Sequence, residues 1–425
     1  MPRPDRIVLP PTHARDAETF RSWYIRYQNA VISTRQGRRQ LTLATLKAPL
    51  RAAREALQAV RTHGPDAVSS SGIARTRQFT RLWRMNLRSR FTPMNFYRFG
   101  AYRDETWENA SLYVQGSEAG IAYRAAARYI DEPAFRTLAS KRRFEAWCRA
   151  EGLPTASIVA SYEGGAVADA DDRLSPLPPQ NLFIKWATRY GGDDTMRADW
   201  MGERYRCSDD VERTPAELHA TLLERSTEGA LIVQRLIRNH EAIRRFGRAL
   251  STVRVMTARD GSKSPEVLLA VMRMGTGANT ADNYAQGGIA SNVDLATGVI
   301  GDAVRLNPNE IQETLLSHPD TGASIPGFEI PEWQAVLDLA VRAHDRIGML
   351  PCIGWDVAVT DHGPVLLEGN WNPCVKLAQI PTACPLLATR FSSVFVQAVG
   401  DVVARLSDEE LVALANSHPE RALTD

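Results

Sequence analysis

The sequence predicts an α+β protein in which an Arg-rich, mainly helical region precedes a set of strands and helices. Amphipathic stretches without a strand pattern fill the first ninety or so residues, and Val/Ile/Leu-rich runs alternate with helix-period segments from about residue 155 onward. A hairpin signature then closes the strand region at 354–372. With 425 residues, 44% of them hydrophobic and 24% charged, the chain has ordinary globular composition and enough length for two or three subdomains.

In the N-terminal region the segments 17–31 and 46–60 have helical periodicity, and 64–72 is a Gly/Ser turn. Trp83, Phe91, Phe96, Tyr97, Phe99 and Tyr102 form an aromatic set suited to subdomain packing. The first hundred residues hold 19 Arg/Lys against 5 Asp/Glu, so they carry +14 while the remainder carries −12. That split fits an acidic partner, or docking of the Arg-rich helices on the acidic remainder of the same chain. Nucleic acid is disfavoured as a partner, because no zinc finger, recognition helix or RNP pattern is present.

Every apolar stretch is soon broken by a charge or Pro, so no membrane-spanning run and no membrane partner are expected. The start, MPRPDRIVLPP, lacks the apolar core of a secretion signal. The five cysteines form no CxxC pair and no zinc spacing, which reads as reduced thiols in a cytoplasmic protein. Only five of the 51 basic residues are Lys (47, 141, 185, 263 and 376), which makes each one a less arbitrary choice of compact point charge.

A helix is expected over 131–152, with Phe135, Leu138, Phe144 and Trp147 on its apolar side and Lys141 opening a Lys-Arg-Arg cluster. A strand at 155–161 and a polar, Pro-rich connection that includes the Ala/Asp run 166–172 follow. The strand 181–186 presents Lys185, and the Gly191-Gly192 turn after it either aims backbone N–H groups at phosphate or is a plain turn. It is neither a Walker A loop nor a GxGxxG turn.

Beyond a helix at 215–228, the apolar run 230–237 suits a hinge strand whose backbone reads a purine edge. Strands at 251–257 and 267–272 carry Arg254 and end on Arg273. Arg among β-branched neighbours is either ion-paired or awaiting an anion. The loop 275–288 is rich in Gly and Asn, as a ligand loop or a mobile surface loop would be, and helices are expected at 331–347 and 389–406.

In the hairpin, a three-residue loop Asp361-His362-Gly363 sets Thr360 against Pro364 and so Asp356 against Glu368. Alternation puts Asn370 on the same face as Glu368, together with Ala358 and Leu366. Two facing carboxylates repel and need a shared proton or a cation, and converging Asp, Glu and Asn oxygens suit magnesium. An exposed acidic hairpin is the plain alternative.

The order of these parts, with the wording LFIKWATRYGG, LIVQRLIRNH, STVRVMT, MRMG…DNYAQGGI and GWDVAV…GPVLLEGNWNP, resembles the sugar-transfer-associated ATP-grasp family from about Tyr97 to Leu387. The resemblance implies an ATP-grasp fold, two α+β subdomains clamping ATP. Residues 96–234 would form the N-terminal lobe and first subdomain, 235–410 the second subdomain with the metal site and 411–425 a tail, with the basic helical region 1–95 outside the match. It implies Lys141 and Lys185 at the phosphates and adenine, Gly191 and Gly192 as a phosphate flap, and Gln234 and Leu236 beside adenine. Asp356, Glu368 and Asn370 would hold magnesium, two ions with manganese as a substitute, and Arg254 and Arg273 would face the transferred phosphoryl or a substrate carboxylate.

Ser140 stands where the family often has an acid, and Gln234 where many ATP-grasp enzymes have Glu; Glu241 and His240 are the ribose candidates. The implied activity is an ATP-dependent carboxylate–amine ligase working through an acylphosphate, on amino-acid, sugar-linked or carrier-bound substrates. A hydroxyl kinase and a nucleotide-binding regulatory module are the rivals. For residues 1–95, subdomain packing, an acceptor surface, a carrier-protein dock and a homo-oligomer contact stay open.

Overall fold

The computed structural model describes residues 7–36, 38–170, 177–187, 195–277, 287–306 and 311–418. The chain opens with helices α1 (Pro11–Gln36), α2 (Arg38–Leu46), α3 (Ala48–Ser71), α4 (Arg75–Ser89), α5 (Pro93–Arg98) and α6 (Asp104–Trp107), then α7 (Gly116–Tyr129), α8 (Glu132–Ala139) and α9 (Lys141–Ala150). On α3, Ala52, Ala56 and Ala59 recur at helical spacing and are buried, which lets α4 approach closely. The turn expected at 64–72 is helical as far as Ser71 and ends only at Gly72, a left-handed cap with φ 71°. Pro65 is tolerated inside the helix, where the side-chain amide of Gln78 on α4 donates to Gly64 O at 3.4 Å.

The helix expected over 131–152 is two helices, α8 and α9, with Ser140 extended between them (φ −121°, ψ 123°). The Ser140 hydroxyl accepts from Arg143 N, an N-cap that starts a new helix and sets Lys141 at its first residue.

Strands β1 (Ile158–Glu163), β2 (Ala166–Ala170), β3 (Leu182–Trp186), β4 (Met196–Trp200), β5 (Tyr205–Cys207) and β6 (Glu212–Arg213) precede α10 (Pro215–Arg225), whose Thr214/Glu217 capping box marks its start, and β7 (Leu231–Arg235). They form a seven-stranded antiparallel sheet in the order β2-β1-β7-β3-β4-β5-β6. The run beginning at Ala166, expected as connection, is its edge strand β2.

The second antiparallel sheet holds β8 (Thr252–Ala258), β9 (Glu266–Met274), β10 (Ile289–Val293), β11 (Ile300–Leu306) and β12 (Gln312–Leu315). After α11 (Trp333–Ile347), β13 (Cys352–Thr360) and β14 (Gly363–Asn370) complete it in the order β12-β11-β10-β9-β8-β13-β14. Helices α12 (Val375–Thr382), α13 (Phe391–Arg405) and α14 (Asp408–Asn416) follow.

Helix α11 packs on β8, β9, β13 and β14. It contributes the buried His344, bonded to Thr257 Oγ1 at 2.7 Å and Leu350 O at 2.8 Å. Burial lowers the imidazole to about 4 and keeps it neutral; since Leu350 O can only accept, Nε2 carries the proton. The main core joins the second sheet to α1, α7, α8 and α11–α14, a separate cluster lies in the first sheet with α10, and a third joins α3–α5 to Ile311 and Ile380. The N-terminal helices are thus packed onto the second sheet. No helix of the described residues is long and apolar enough to cross a membrane, and the five thiols are unbridged.

Candidate active site

The hairpin differs from its expected register in an instructive way. Thr360 pairs with Gly363 (φ 103°), so only Asp361 and His362 lie between the strands, one residue fewer than expected. A β-bulge between Asp356 and Val357, where Leu367 is the extra residue, restores Asp356 opposite Glu368 and Gly354 opposite Asn370. The bulge also pairs Leu366 with Val357, so Leu366 joins the opposite, core-side face rather than the face of the acids.

Asp356 is also the cross-strand partner of Arg254 on β8. The Arg254 guanidinium grips both carboxylate oxygens, Nη2 to Oδ2 at 2.9 Å, and Arg273 Nη1 from β9 reaches Oδ2 at 2.8 Å. The structure therefore pairs the two arginines with an acid of the same chain. Burial would raise the Asp356 carboxyl, but the two guanidiniums outweigh it and hold it well below the usual carboxylate range. Burial likewise opposes the charge of Arg254, and Asp356 more than restores it.

Asn370 Nδ2 donates to Gly354 O at 3.2 Å and to Glu368 Oε1 at 3.3 Å, which turns its Oδ1 away as the acceptor end. Close packing positions the pair: a Cβ on Gly369, between them, would lie 2.7 Å from Leu138 Cδ2 and 2.8 Å from Trp355 Cζ3.

Lys185, Gln234 and Leu236 line a cavity of about 560 Å³ that Leu367 of β14 also lines, so both sheets contribute walls. Burial first and the ammonium of Lys141 second lower Lys185 to about 8, with Glu368 and Asp356 pulling the other way. The acids thus lie within electrostatic reach of Lys185. Lys141 donates to Ala187 O at 3.3 Å, just past β3, and shares a small recess with Glu368 and Asn370.

The hinge is less open than the sequence suggested. Strand β7 is hydrogen-bonded along both edges, the Leu236 N–H donates to Asn181 O at 2.9 Å, and the Gln234 amide donates to Ala156 O at 2.9 Å. The chain leaves its sheet partners only beyond Leu236. His240 and Glu241 bind the hairpin instead, through His240 N to Val359 O and Glu241 N to Asp361 Oδ1, each at 2.8 Å, and line none of these cavities. Gly191 and Gly192 lie outside the described residues, as does most of the loop 275–288.

Sequence reasoning missed a second cavity of about 350 Å³ beside the acids, walled by Trp371, Lys376 and Arg124. None of its described lining residues is acidic. Trp371 also lines the recess holding Glu368 and Asn370, so it forms a shared wall. A signal was available, because Lys376 is one of the five lysines and follows the acids by a few residues.

The model of the family described as sugar-transfer associated ATP-grasp matches residues 123–392, well over half of the chain. The chain belongs to that family. The ATP-grasp match spans both sheets and every candidate residue named above, and stops short of the N-terminal helices. Similar solved structures include an L-amino acid ligase from Bacillus licheniformis, 11% identical with a TM-score of 0.36, covering 65% of this chain and 50% of that one. A D-alanine–D-alanine ligase from Bacillus anthracis is 13% identical at a TM-score of 0.36 over 64% of this ATP-grasp chain and 71% of its own. An ADP complex of N5-carboxyaminoimidazole ribonucleotide synthetase is 13% identical, TM-score 0.34, with 57% and 47% covered. The chain thus spans about half the length of the first and third of these. No curated protein matches.

Proposed function

We propose that the protein is an ATP-dependent carboxylate–amine ligase that releases ADP and phosphate. The observation that carries this reading is the convergence of Asp356, Glu368, Asn370, Lys141 and Lys185 where the 560 Å³ cavity meets β14. In that cavity Gln234 and Leu236 flank the adenine and Lys185 meets the phosphates, with Lys141 reaching them from the recess it shares with Glu368 and Asn370. Asp356 is ionised, Glu368 adds a carboxylate, and the Asn370 carboxamide is oriented by its own N–H bonds, so the donors are hard oxygens that fit magnesium. Bound there, the metal would neutralise triphosphate charge and polarise the γ-phosphoryl. Gly191 and Gly192 remain the proposed flap over the phosphates.

A substrate carboxylate oxygen bonds to the γ-phosphorus as the bond from that phosphorus to the β-phosphate oxygen breaks, giving an acylphosphate and ADP. The amine nitrogen then bonds to the acyl carbon, phosphate leaves, and the amine proton passes to solvent. Arg254 and Arg273 steady the charge on the transferred group, while positioning supplies most of the rate. Lys376 and Arg124 suit the second cavity to an anionic group of the acid substrate. The family's association with sugar transfer favours a sugar-linked partner among the amino-acid, sugar-linked and carrier-bound ones proposed. ATP use and unbridged thiols support action in the cytoplasm.

The test is ATP turnover with a panel of amino acids and sugar acids in the presence of hydroxylamine. A ligase of this type yields hydroxamate, whereas a hydroxyl kinase yields ADP without it. Glu368→Gln is expected to abolish ADP formation in a folded protein, and retained turnover would remove Glu368 from the metal site.

A further inference from the structure

The catalytic reading leaves the outer face of the N-terminal helices unexplained. At the α2–α3 join Lys47 N–H donates to Leu43 O and Arg51 N–H to Lys47 O, while Pro49 has no N–H to give, so two helices adjoin at Lys47. Leu43 and Leu46, three apart on α2, share one face, and Leu50 and Leu57, seven apart on α3, share one face of that helix. Their exposures are 37%, 72%, 76% and 44%. Single exposed leucines are ordinary; four within fifteen residues of two adjoining helices are not.

The cations Lys47, Arg54 and Arg61 lie among these leucines in the sequence and are exposed. Helix α4, which packs beside α3 with Asn86 donating to Glu55 at 2.8 Å, adds exposed Leu87, Arg84 and Arg88. Between residues 40 and 89 the acids are Glu55 and Asp66 alone. Glu55 is engaged by Asn86 and Arg51, and neither acid is fully exposed. Self-docking accounts for α1, whose Arg21 and Arg26 pair with Glu118 and Asp408. On α4 Arg77 and Arg81 pair with Asp104, whereas Lys47, Arg54, Arg61, Arg84 and Arg88 are exposed.

We propose that this surface docks on an anionic lipid layer. The leucines enter the boundary between headgroups and acyl chains, and the exposed cations meet lipid phosphates, as in a helix lying in the interface plane. Exposed leucines among cations, in a segment with only two acids, are complementary to an anionic lipid layer. This revises the expectation of no membrane partner and is independent of the chemistry at Asp356.

Co-sedimentation of the full chain with phosphatidylcholine vesicles, with and without phosphatidylglycerol, tests it. Wild type is expected to bind the anionic vesicles and to be released by salt. Arg54→Gln with Arg61→Gln is expected to lower partitioning roughly tenfold or more. Leu46→Asp with Leu50→Asp is expected to lower it even at low salt. These sites are exposed, and far-UV circular dichroism verifies that the variants fold. Equal or absent binding to both vesicle types, or unchanged binding by both double variants, overturns the proposal. So does capture of an acidic protein on this face without vesicle binding.

Discussion

Asp356 has two roles, which comparison with Glu368 separates. In the structure it neutralises Arg254 and Arg273, and in the proposed reaction it is also a metal ligand. Replacing it by Asn leaves a buried guanidinium without its counter-charge, a change that typically costs about 3–5 kcal/mol. Urea unfolding of Asp356→Asn should show a loss of that size, whereas Glu368→Gln should unfold within about 1 kcal/mol of wild type. Lys185 offers a pH signature. Held near 8 by burial and by Lys141, it is largely neutral above that pH and charged below it. A bound triphosphate favours the charged form, so ATP binding at pH 8, where Lys185 is already partly charged, should take up a fraction of a proton and weaken as pH rises further. Calorimetry in two buffers of different ionisation heat measures that uptake. Lys185→Met should remove it, and no uptake in wild type would detach Lys185 from the phosphates.

At the scale of elements, the hairpin and the Lys185 strand were legible because alternation and turn residues are local signals. The bulge at Leu367 was not. The shorter loop and the extra residue shift the register in opposite senses, so Asp356 meets Glu368 either way, and only Leu366 changes face. The break at Ser140 was hidden because Phe135, Leu138 and Phe144 keep a helical apolar rhythm across it. The clasp of Arg254 on Asp356 was out of reach for another reason, since it needs the pairing of strands about a hundred residues apart. Short polar strands such as β4 to β6 carry too little pattern to be read at all. Two substitutions test the elements that set the site. Ser140→Ala removes the cap that starts α9 and should cost about 1 kcal/mol while weakening ATP binding through Lys141. Gly369→Ala drives a methyl into Leu138 and Trp355 and should cost about 1–3 kcal/mol, read by thermal unfolding.

For the whole molecule, two sheets contribute walls to one cavity, so nucleotide should tie them together. Magnesium with ATP at a hundredfold excess over its dissociation constant should stabilise the fold by about 2.7 kcal/mol. Calorimetric melting should show that gain in wild type, and Glu368→Gln should lose its magnesium-dependent part. What the sequence could not show at this scale was the partner of the basic helices, because packing between distant segments leaves no local trace. Helix α1 packs on α13, α14 and α7, with Phe20 5.5 Å from Phe391 edge to face. The segment the ribosome makes early therefore cannot find its main partners until α13 and α14 have emerged. During synthesis Phe20 waits for Phe391, and the seating of α1 closes the fold late.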